Sequence, residues 1–444
     1  MTMKRNMIFR AALALLLPGV MMTSCKFEED EYFSESAALR IDKTTEEIKA
    51  KLCAPTADGE YGWLMQTFVA GNDSTKFEGF NLFAKFYDNG KVLFASDHRY
   101  LRDGNANKYT ESTSLYEMLQ EEGPVLAFSS WNDVLTPLSD PVNPMHAPAQ
   151  LIKDGVGLGG DNNFVVMGYS DDVINLVGER YRAKSRLLRC DRPWEQYIAD
   201  AKATKAAISS TSMPGHYYVT NETDTLYLKN LRGGATVIGD RLEYPANYTE
   251  RALVFTPTGV SFEGGIDFVI SDDQTKLVSG DSLQIVAMWD QYIADRTSLW
   301  NIDDATYSDA MKTVAAQINT EIKKHNTAWS LAYIGLGRST GSGAVKGIVI
   351  TLYTNTQKTK TNTIGMEVKS ERTGFGKITL SVAENPATDK NMQTVAKKAK
   401  DMPALVKNLA DILAGTYDMT PDNYFMPTGA TFTALDGSKT IVLK

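Results

Sequence analysis

The segment Phe80–Ala95, FNLFAKFYDNGKVLFA, decides the fold class of this 444-residue chain. Two runs rich in aromatic and aliphatic residues, Phe80–Tyr87 and Lys91–Ala95, flank the tripeptide Asp88-Asn89-Gly90. Because Asn-Gly accepts the positive φ of a type I′ turn, the segment predicts an antiparallel β-hairpin.

Further strands and several helices are predicted around this hairpin. Strand-like runs occur in the first half at residues 62–68, 124–129, 133–138, 164–169, 173–177 and 183–190, whereas Ser114–Gln120 predicts a short helical turn. Apolar residues at helical spacing predict helices at residues 34–53, 307–325, 390–400 and 401–414. The mixture predicts an α+β protein of mostly antiparallel β-sheet modules, each with capping helices.

The length of the chain predicts several domains, since 444 residues exceed what one compact core accommodates. We expect a signal peptide over residues 1–24 and an acidic tether over 25–33. An N-terminal α+β domain then covers residues 34–190, a middle β-rich domain covers 191–300, and a C-terminal α+β domain covers 301–444.

The N-terminus predicts a secreted lipoprotein. Three basic residues precede a short apolar run at residues 11–22, which is the order found in a secretory signal and is too short for a permanent transmembrane helix. The segment Met22-Thr23-Ser24-Cys25 resembles a bacterial lipobox, which leaves the cysteine acylated at the mature N-terminus. Cys25 is therefore the predicted lipidation site, and an ordinary signal peptide that is cleaved nearby is the alternative.

An acidic run follows the predicted lipidation site, at Glu28-Glu29-Asp30-Glu31. It resembles the surface-export signal of Bacteroidetes-type lipoproteins, and the alternative is a solvated tether, because a dense acidic run cannot bury itself. We expect an outer-membrane protein that is lipid-anchored and faces the cell exterior.

The charge of the chain excludes one class of partner. The net charge is -8, and loss of residues 1–24 removes three positive and no negative charges, which gives -11. A protein this acidic is not expected to bind nucleic acid.

Two cysteines remain besides the predicted lipidation site, Cys53 and Cys190. In an extracytoplasmic compartment they could form a disulfide. Two buried free thiols are the equally ordinary alternative.

The order of several segments resembles a known family. SESAALRIDK, GEYGWLMQTFV, FAKFYDNGKV and GGDNNFVVMGY follow one another as in the Bacteroidetes lipoproteins known as domain of unknown function 4302. The resemblance extends from the lipobox to about residue 290 and leaves the C-terminal third unmatched. It implies a surface or periplasmic lipoprotein that is encoded beside nutrient-uptake machinery, and it implies no activity.

A seven-residue segment occurs twice. Trp194–Asp200, WEQYIAD, and Trp289–Asp295, WDQYIAD, share six identities in seven positions. We interpret each as the start of a short helix that closes one β module, with its tryptophan buried as a plug. The alternative is a duplicated ligand platform with exposed indoles.

Two glycine-rich motifs do not support catalysis or nucleotide binding. Gly337–Gly341 fits the spacing of a hydrolase nucleophile elbow, but a strand rather than a helix is predicted after it, and no histidine follows His325. Gly155–Gly160 fits G-x-G-x-x-G but lacks the strand before it and the helix after it. We interpret both as turns, and a calcium site at the following Asp161-Asn162-Asn163 is an alternative for the second.

No metal or cofactor is predicted. The histidines are His98, His146, His216 and His325, and none is paired at the spacing of a zinc site. The predictions therefore name no catalytic, cofactor-binding or metal residue.

These observations favour a binding or accessory component of nutrient capture, for glycans or peptides, over an enzyme. The membrane is one expected partner, through the lipid anchor, and a glycan, a peptide or an outer-membrane transporter is another. The alternatives are a hydrolase of glycans or peptides without a recognisable motif, and an adhesive or structural protein-interaction lipoprotein. A cleft lined by two buried carboxylates would favour the hydrolase. Exposed tryptophan and tyrosine on one face would favour glycan binding.

Overall fold

The structure is a computed structural model that describes residues 36–55, 61–69, 78–142, 157–209, 216–221, 225–229, 231, 236–239, 248–280, 282–295, 299–340 and 342–444. The predicted signal peptide, the lipidation site Cys25 and the acidic tether lie outside these residues. The predicted α+β class is confirmed, since helices accompany several antiparallel sheets. The chain divides into two compact units, residues 1–211 with 215–286 and residues 212–214 with 287–444.

The first sheet follows helix α1, Ala37–Cys53. Its strands are β1 Trp63–Val69, β2 Glu78–Phe86, β3 Lys91–Ser96, β4 Thr110–Leu115, β5 Glu117–Gln120, β6 Pro124–Ala127, β7 Asn163–Tyr169, β8 Val173–Gly178 and β9 Lys184–Arg189. They lie in the order β4-β3-β2-β1-β9-β8-β7-β6-β5. Only Tyr116 separates the two end strands β4 and β5 in the chain, so one corner residue connects the two edges of the sheet.

The second sheet repeats this order after helix α2, Trp194–Ile208. Its strands are β10 His216–Thr220, β11 Thr225–Lys229, β12 Thr236–Gly239, β13 Tyr248–Arg251, β14 Leu253–Thr256, β15 Gly259–Phe262, β16 Ile266–Ile270, β17 Leu277–Ser279 and β18 Leu283–Ala287. The order is β13-β12-β11-β10-β18-β17-β16-β15-β14. The single residue between the end strands β13 and β14 is Ala252.

The second unit begins with helix α3, Trp289–Asp295. Its strands are β19 Trp300–Asn301, β20 Ser330–Arg338, β21 Lys346–Tyr353, β22 Thr361–Glu367, β23 Lys369–Gly374, β24 Lys377–Ser381, β25 Gly415–Pro421, β26 Ala430–Ala434 and β27 Thr440–Leu443. They form two ladders, β19-β20-β21-β22 and β23-β24-β25-β26-β27. Three further helices are inserted: α4 Asp309–His325 after β19, and α5 Lys390–Ala396 and α6 Met402–Leu413 after β24.

The two ladders of the second unit reproduce the same circular order a third time. A bridge between Ile302 and Leu443 and two main-chain hydrogen bonds between Asn301 and Lys444 place β19 beside β27. At the other end Val368 alone separates β22 from β23. The chain therefore builds one strand arrangement three times.

The residue at each of the three corners is apolar and buried. Tyr116 is 4%, Ala252 0% and Val368 2% exposed. At each corner the chain leaves one edge of the sheet and enters the other. Burial of the apolar corner side chain in the core stabilises the bend at that residue.

The hairpin at Asp88-Asn89-Gly90 is confirmed, but its turn differs from the prediction. Three residues form the loop, because the Tyr87 N–H donates to the Lys91 carbonyl at 2.9 Å. Only Gly90 has a positive φ, at 78°, and the Asn89 side chain accepts from the Lys91 N–H. This is the three-residue hairpin loop that ends in a left-handed glycine, not the type I′ turn.

Two local predictions are wrong. Ser114–Gln120 is not a helical turn, because it contains the end of β4, which pairs with β3, and all of β5, which pairs with β6. Residues 133–138 are not a strand: the Asn132 side chain accepts from the Val134 and Leu135 N–H groups and starts a turn that leads into the 3₁₀ helix Thr136–Leu138.

Helices α1 and α4 each begin directly after a serine N-cap. Helix α1 starts at Ala37, three residues after the start of the predicted helix, with Ser36 accepting from the Leu39 N–H, and α4 is capped in the same way by Ser308. The buried face of α4, at Met311, Val314, Ile318 and Ile322, packs into the core of the second unit.

Candidate ligand-binding site at the loop of residues 179–183

The loop of residues 179–183 joins β8 to β9 and is held by one buried carboxylate. Asp161 accepts from the Arg180 and Tyr181 N–H groups at 3.0 Å and from the Ala183 N–H at 3.2 Å. Gly178 permits this approach, because a Cβ there would overlap the Asp161 side chain. Loop position therefore depends on Asp161, the residue that follows the turn at Gly157–Gly160.

Arg182 has an unusual backbone conformation within this loop. Its φ is 60°, in the left-handed region that costs a non-glycine residue of order 1 kcal/mol. The hydrogen bonds from the residues on both sides of it to Asp161 hold this conformation. Strained residues concentrate at functional sites, so the loop is a candidate for one.

One cavity lies beside the first half of the loop, and we call it the Asn162 cavity. Its volume is about 410 Å³, and it is lined by Phe128, Ser139, Gly160, Asp161, Asn162, Asn163, Glu179, Arg180 and Tyr181. The Asn163 amide donates to the Glu179 carboxylate at 3.0 Å, and the Ser139 hydroxyl donates to the Asn162 side-chain oxygen at 3.3 Å. Amide, hydroxyl and aromatic groups thus share one wall.

A second cavity lies beside the second half of the loop, and we call it the Arg182 cavity. Its volume is about 530 Å³, and its lining residues are Phe68, Met167, Asn175, Leu176, Val177, Arg182, Lys184, Ser185, Arg186, Gly264 and Gly265. The wall combines three basic side chains with several apolar ones. Its chemistry differs from that of the Asn162 cavity.

A third cavity of about 330 Å³ lies between β2, β3 and α2. His98 at its wall is buried, which lowers its pKa to about 4, and its Nε2 lies 2.8 Å from the Val134 carbonyl oxygen. The charges beside it are paired: Arg99 donates to Glu78 at 2.6 Å, and Lys202 pairs with Asp97. These contacts are those of a structural cluster.

The family described as "Domain of unknown function (DUF4302)" matches residues 29–276, more than half of the chain. The chain belongs to the DUF4302 family. The match covers the first sheet, the loop of residues 179–183 and most of the second sheet. It ends before the third repetition of the strand order.

Other comparisons add nothing on function for this DUF4302 protein. No curated protein matches the chain. Among solved structures, the Helicobacter pylori beta clamp in complex with 3,4-difluorobenzamide is 9% identical over 90% of this chain and 96% of that chain. Its TM-score of 0.12 is too low to support any argument.

The two cysteines considered for a disulfide are free thiols in the structure. The Cys53 sulfur lies 3.2 Å from the Tyr116 hydroxyl, and the Cys190 thiol donates to the Arg192 carbonyl at 3.2 Å. Burial raises the pKa of the Cys190 thiol, which disfavours its thiolate.

The plug interpretation of the repeated tryptophans is confirmed for Trp289, which is 2% exposed. Its ring packs edge-on against Phe375 and Tyr424, with ring centroids 5.7 and 5.9 Å apart. Trp194 is only half-buried. Its ring stacks on Phe83 at 5.8 Å, and its indole N–H donates to the Tyr61 carbonyl at 2.6 Å.

The glycine-rich motifs behave as turns where they are described. Gly157–Gly160 is followed by a strand, and Arg338 at the end of β20 is followed by a loop in which Ser339 accepts from the Val345 N–H. Residues 155, 156 and 341 and His146 lie outside the described residues, as does the side chain of His216. Asp161 uses its oxygens for backbone N–H groups, which leaves less capacity for the calcium ion considered as an alternative.

The residues that the structure describes contain neither a candidate metal site nor a candidate membrane-spanning helix. There, no group of three histidine, cysteine or acidic side chains is placed to hold a metal ion. Within the same residues, no helix is both long and apolar enough to cross a membrane.

A carboxylate pair of the kind that glycosidases use is not evident among the described residues that line the three cavities. Asp161 is the one deeply buried carboxylate there, and three backbone N–H groups occupy it. Other buried carboxylates have structural partners, as when Asp290 accepts from Arg372 at 2.6 Å. Sequence reasoning marked Asp161-Asn162-Asn163 but missed Glu179, Tyr181 and Arg182, because no motif signals a pinned hairpin loop.

Proposed function

We propose that this DUF4302 protein is a lipid-anchored binding protein at the outer-membrane surface, and that the Asn162 cavity binds a hydroxyl-rich ligand of the carbohydrate class. The observation that carries the proposal is the lining of this cavity. Side-chain amides, a serine hydroxyl, a carboxylate and an aromatic ring converge there, in a volume of about 410 Å³.

These groups suit a sugar for a chemical reason. Each sugar hydroxyl both donates and accepts a hydrogen bond, and asparagine amides offer both functions. Glu179 and the Ser139 oxygen can accept, and the Tyr181 ring, with the Arg180 guanidinium 4.9 Å from its centroid, adds an aromatic surface for a pyranose. A cavity of this size falls in the range of small-ligand sites.

The location is proposed from the N-terminus. Cys25 follows a lipobox-like segment, and the acidic run after it supports display on the cell exterior. The expected partners are the membrane, through the acyl chains, and a glycan, a peptide or an outer-membrane transporter that receives the ligand. The net charge of -8 argues against nucleic acid as a partner.

Binding is favoured over hydrolysis by the state of the carboxylates. Glycoside hydrolysis needs one carboxyl group as acid and another as base or nucleophile, both free to act on the substrate. In the Asn162 cavity Asp161 is committed to the loop backbone, and Glu179 accepts from Asn163. At most one carboxylate, that of Glu179, remains to contact a ligand. One such group can bind a sugar hydroxyl but does not supply the pair that hydrolysis needs.

The test compares Asn162→Ala with Asn175→Ala in a Cys25→Ala chain that carries no acyl groups. Asn175 is a matched control, because it is an exposed asparagine that lines the Arg182 cavity instead. Binding to a panel of neutral oligosaccharides is measured by array and then by isothermal titration calorimetry.

We expect Asn162→Ala to lose about tenfold in affinity for the bound glycan, as for one or two lost hydrogen bonds, and Asn175→Ala to keep it. Equal affinity of both variants, or no glycan bound by the parent chain, would refute the carbohydrate assignment. Product release from the bound glycan would instead support the hydrolase.

A further inference from the structure

The Arg182 cavity contains three basic residues. Lys184 and Arg186 are two apart in β9 and point to the same side of that strand, whereas Arg182 lies in the loop before it. All three line the cavity. A chain with a net charge of -8 therefore concentrates positive charge at this site.

Two of the three charges are neutralised by the hairpin that joins β15 to β16. Lys184 pairs with Glu263 at 2.9 Å, and Arg186 pairs with Asp267. Arg186 is almost fully buried and also donates to Gln66 at 2.8 Å and to Ser261 at 2.7 Å. Arg186 is held in place and has little remaining capacity for a ligand, and Glu263 offsets the charge of Lys184.

Arg182 differs from its two neighbours. Its side chain is exposed, and within the described residues its guanidinium makes no hydrogen bond or ion pair. The left-handed backbone conformation pinned by Asp161 places it at the cavity wall. The cavity therefore offers one uncompensated positive charge with several free donors.

Apolar residues form most of the rest of the wall, beside the polar Asn175 and Ser185. Phe68 and Leu176 are buried, and Met167 is 51% exposed, although methionine is usually an interior residue. On the opposite side Gly264 and Gly265 contribute no side chains, which leaves the space of about 530 Å³ open. A flexible, polarisable methionine at the rim suits contact with an apolar ligand.

We propose that the Arg182 cavity binds a single carboxylate carried on an apolar body, with Arg182 as the anion partner and Met167 and Phe68 as the apolar wall. Guanidinium matches carboxylate in a bidentate pair, and one free cation matches one charge. The ligand is a fatty acid or the C-terminus of an apolar peptide. This site is separate from the Asn162 cavity and does not depend on the carbohydrate proposal.

The test uses the Cys25→Ala chain without detergent and isothermal titration with sodium octanoate, acetyl-trileucine with a free carboxylate, and 1-octanol. Arg182→Gln removes the charge, and Arg182→Gly removes it with a residue that tolerates positive φ, so that at least one variant keeps the loop. Arg180→Gln is the matched control, an exposed arginine two residues away that lines the other cavity.

We expect one of the two carboxylates to bind, with an affinity about tenfold lower in both Arg182 variants and unchanged in Arg180→Gln, since a charge-assisted hydrogen bond is worth about this factor. The stronger carboxylate identifies the source of the ligand, and 1-octanol should bind more weakly. Equal weakening by Arg180→Gln, equal binding of octanol, or no binding of either carboxylate at millimolar concentration would overturn the proposal.

Discussion

The segments Trp194–Asp200 and Trp289–Asp295 differ at one position in seven, yet they lie in different surroundings. The first begins α2 with a half-buried tryptophan stacked on Phe83. The second begins α3 with a fully buried tryptophan, whose indole nitrogen has no hydrogen-bond partner among the described residues. The same residues therefore close two modules in two ways.

Local contacts are the part that the two segments share. Gln196 donates to Asp200 at 2.6 Å, and Gln291 donates to Asp295 at 2.9 Å. Both are pairs four residues apart on one helix turn, so helix geometry alone brings them together.

The position that differs is also the position whose environment differs most. Glu195 is exposed, whereas Asp290 is fully buried and accepts from Arg372 at 2.6 Å and from the Gly376 N–H at 2.9 Å. Aspartate, the shorter of the two acids, occupies the position that contacts Arg372, a residue distant in the chain. The two segments therefore occupy equivalent positions in the fold, but the burial and the long-range contacts of their residues differ.

The largest expected effect separates the two tryptophans. Trp289→Ala should lower the free energy of unfolding by about 4 kcal/mol, because it removes a fully buried aromatic ring. Trp194→Ala should cost about 2 kcal/mol, since part of that side chain is already in water. Urea unfolding followed by circular dichroism measures both, and equal losses would break the comparison.

The next effect concerns the position that differs. Asp290→Ala should cost about 3 kcal/mol, because the Arg372 guanidinium loses a buried ionic partner. Glu195→Ala is the matched control and should stay within about 0.5 kcal/mol, as for other exposed substitutions. Thermal melting curves of each variant and of the parent chain measure this difference. A small loss of stability for Asp290→Ala would show that the ion pair contributes little.

A reciprocal exchange sharpens the same point. Asp290→Glu adds a methylene to a fully buried site and should cost about 1–2 kcal/mol through overpacking. Glu195→Asp should change stability by less than about 0.5 kcal/mol. If both exchanges are tolerated equally in chemical denaturation, the identity of the acid does not matter to either helix.

The smallest effect should be the same in both copies. Gln196→Ala and Gln291→Ala each remove one hydrogen bond between helix neighbours and should cost about 0.3–0.5 kcal/mol. Differential scanning calorimetry of the two variants should show shifts that agree with each other. A clearly larger shift for one of them would mean that this contact also depends on its surroundings.

Much of the local structure was predictable from sequence. The hairpin at Asp88-Asn89-Gly90 and the helix stripe of α4 follow from short-range patterns, and both are confirmed. Ser114–Gln120 was predicted wrongly, because its short strands β4 and β5 meet at a corner and each pairs with a different neighbour, β3 and β6. The threefold strand order was not predicted, since it depends on pairings between the first and last strands of each sheet.

The sequence by itself determined the α+β class, the acidic charge, the lipobox-like N-terminus and the repeated helix starts, because each is a property of neighbouring residues. Only the tertiary structure decided where the candidate sites lie. Asp161 reaches the loop of residues 179–183 across about 20 positions, and Arg186 meets Asp267 from 81 positions away. Such contacts form when distant strands pair, and no local pattern encodes which partners a folded sheet brings together.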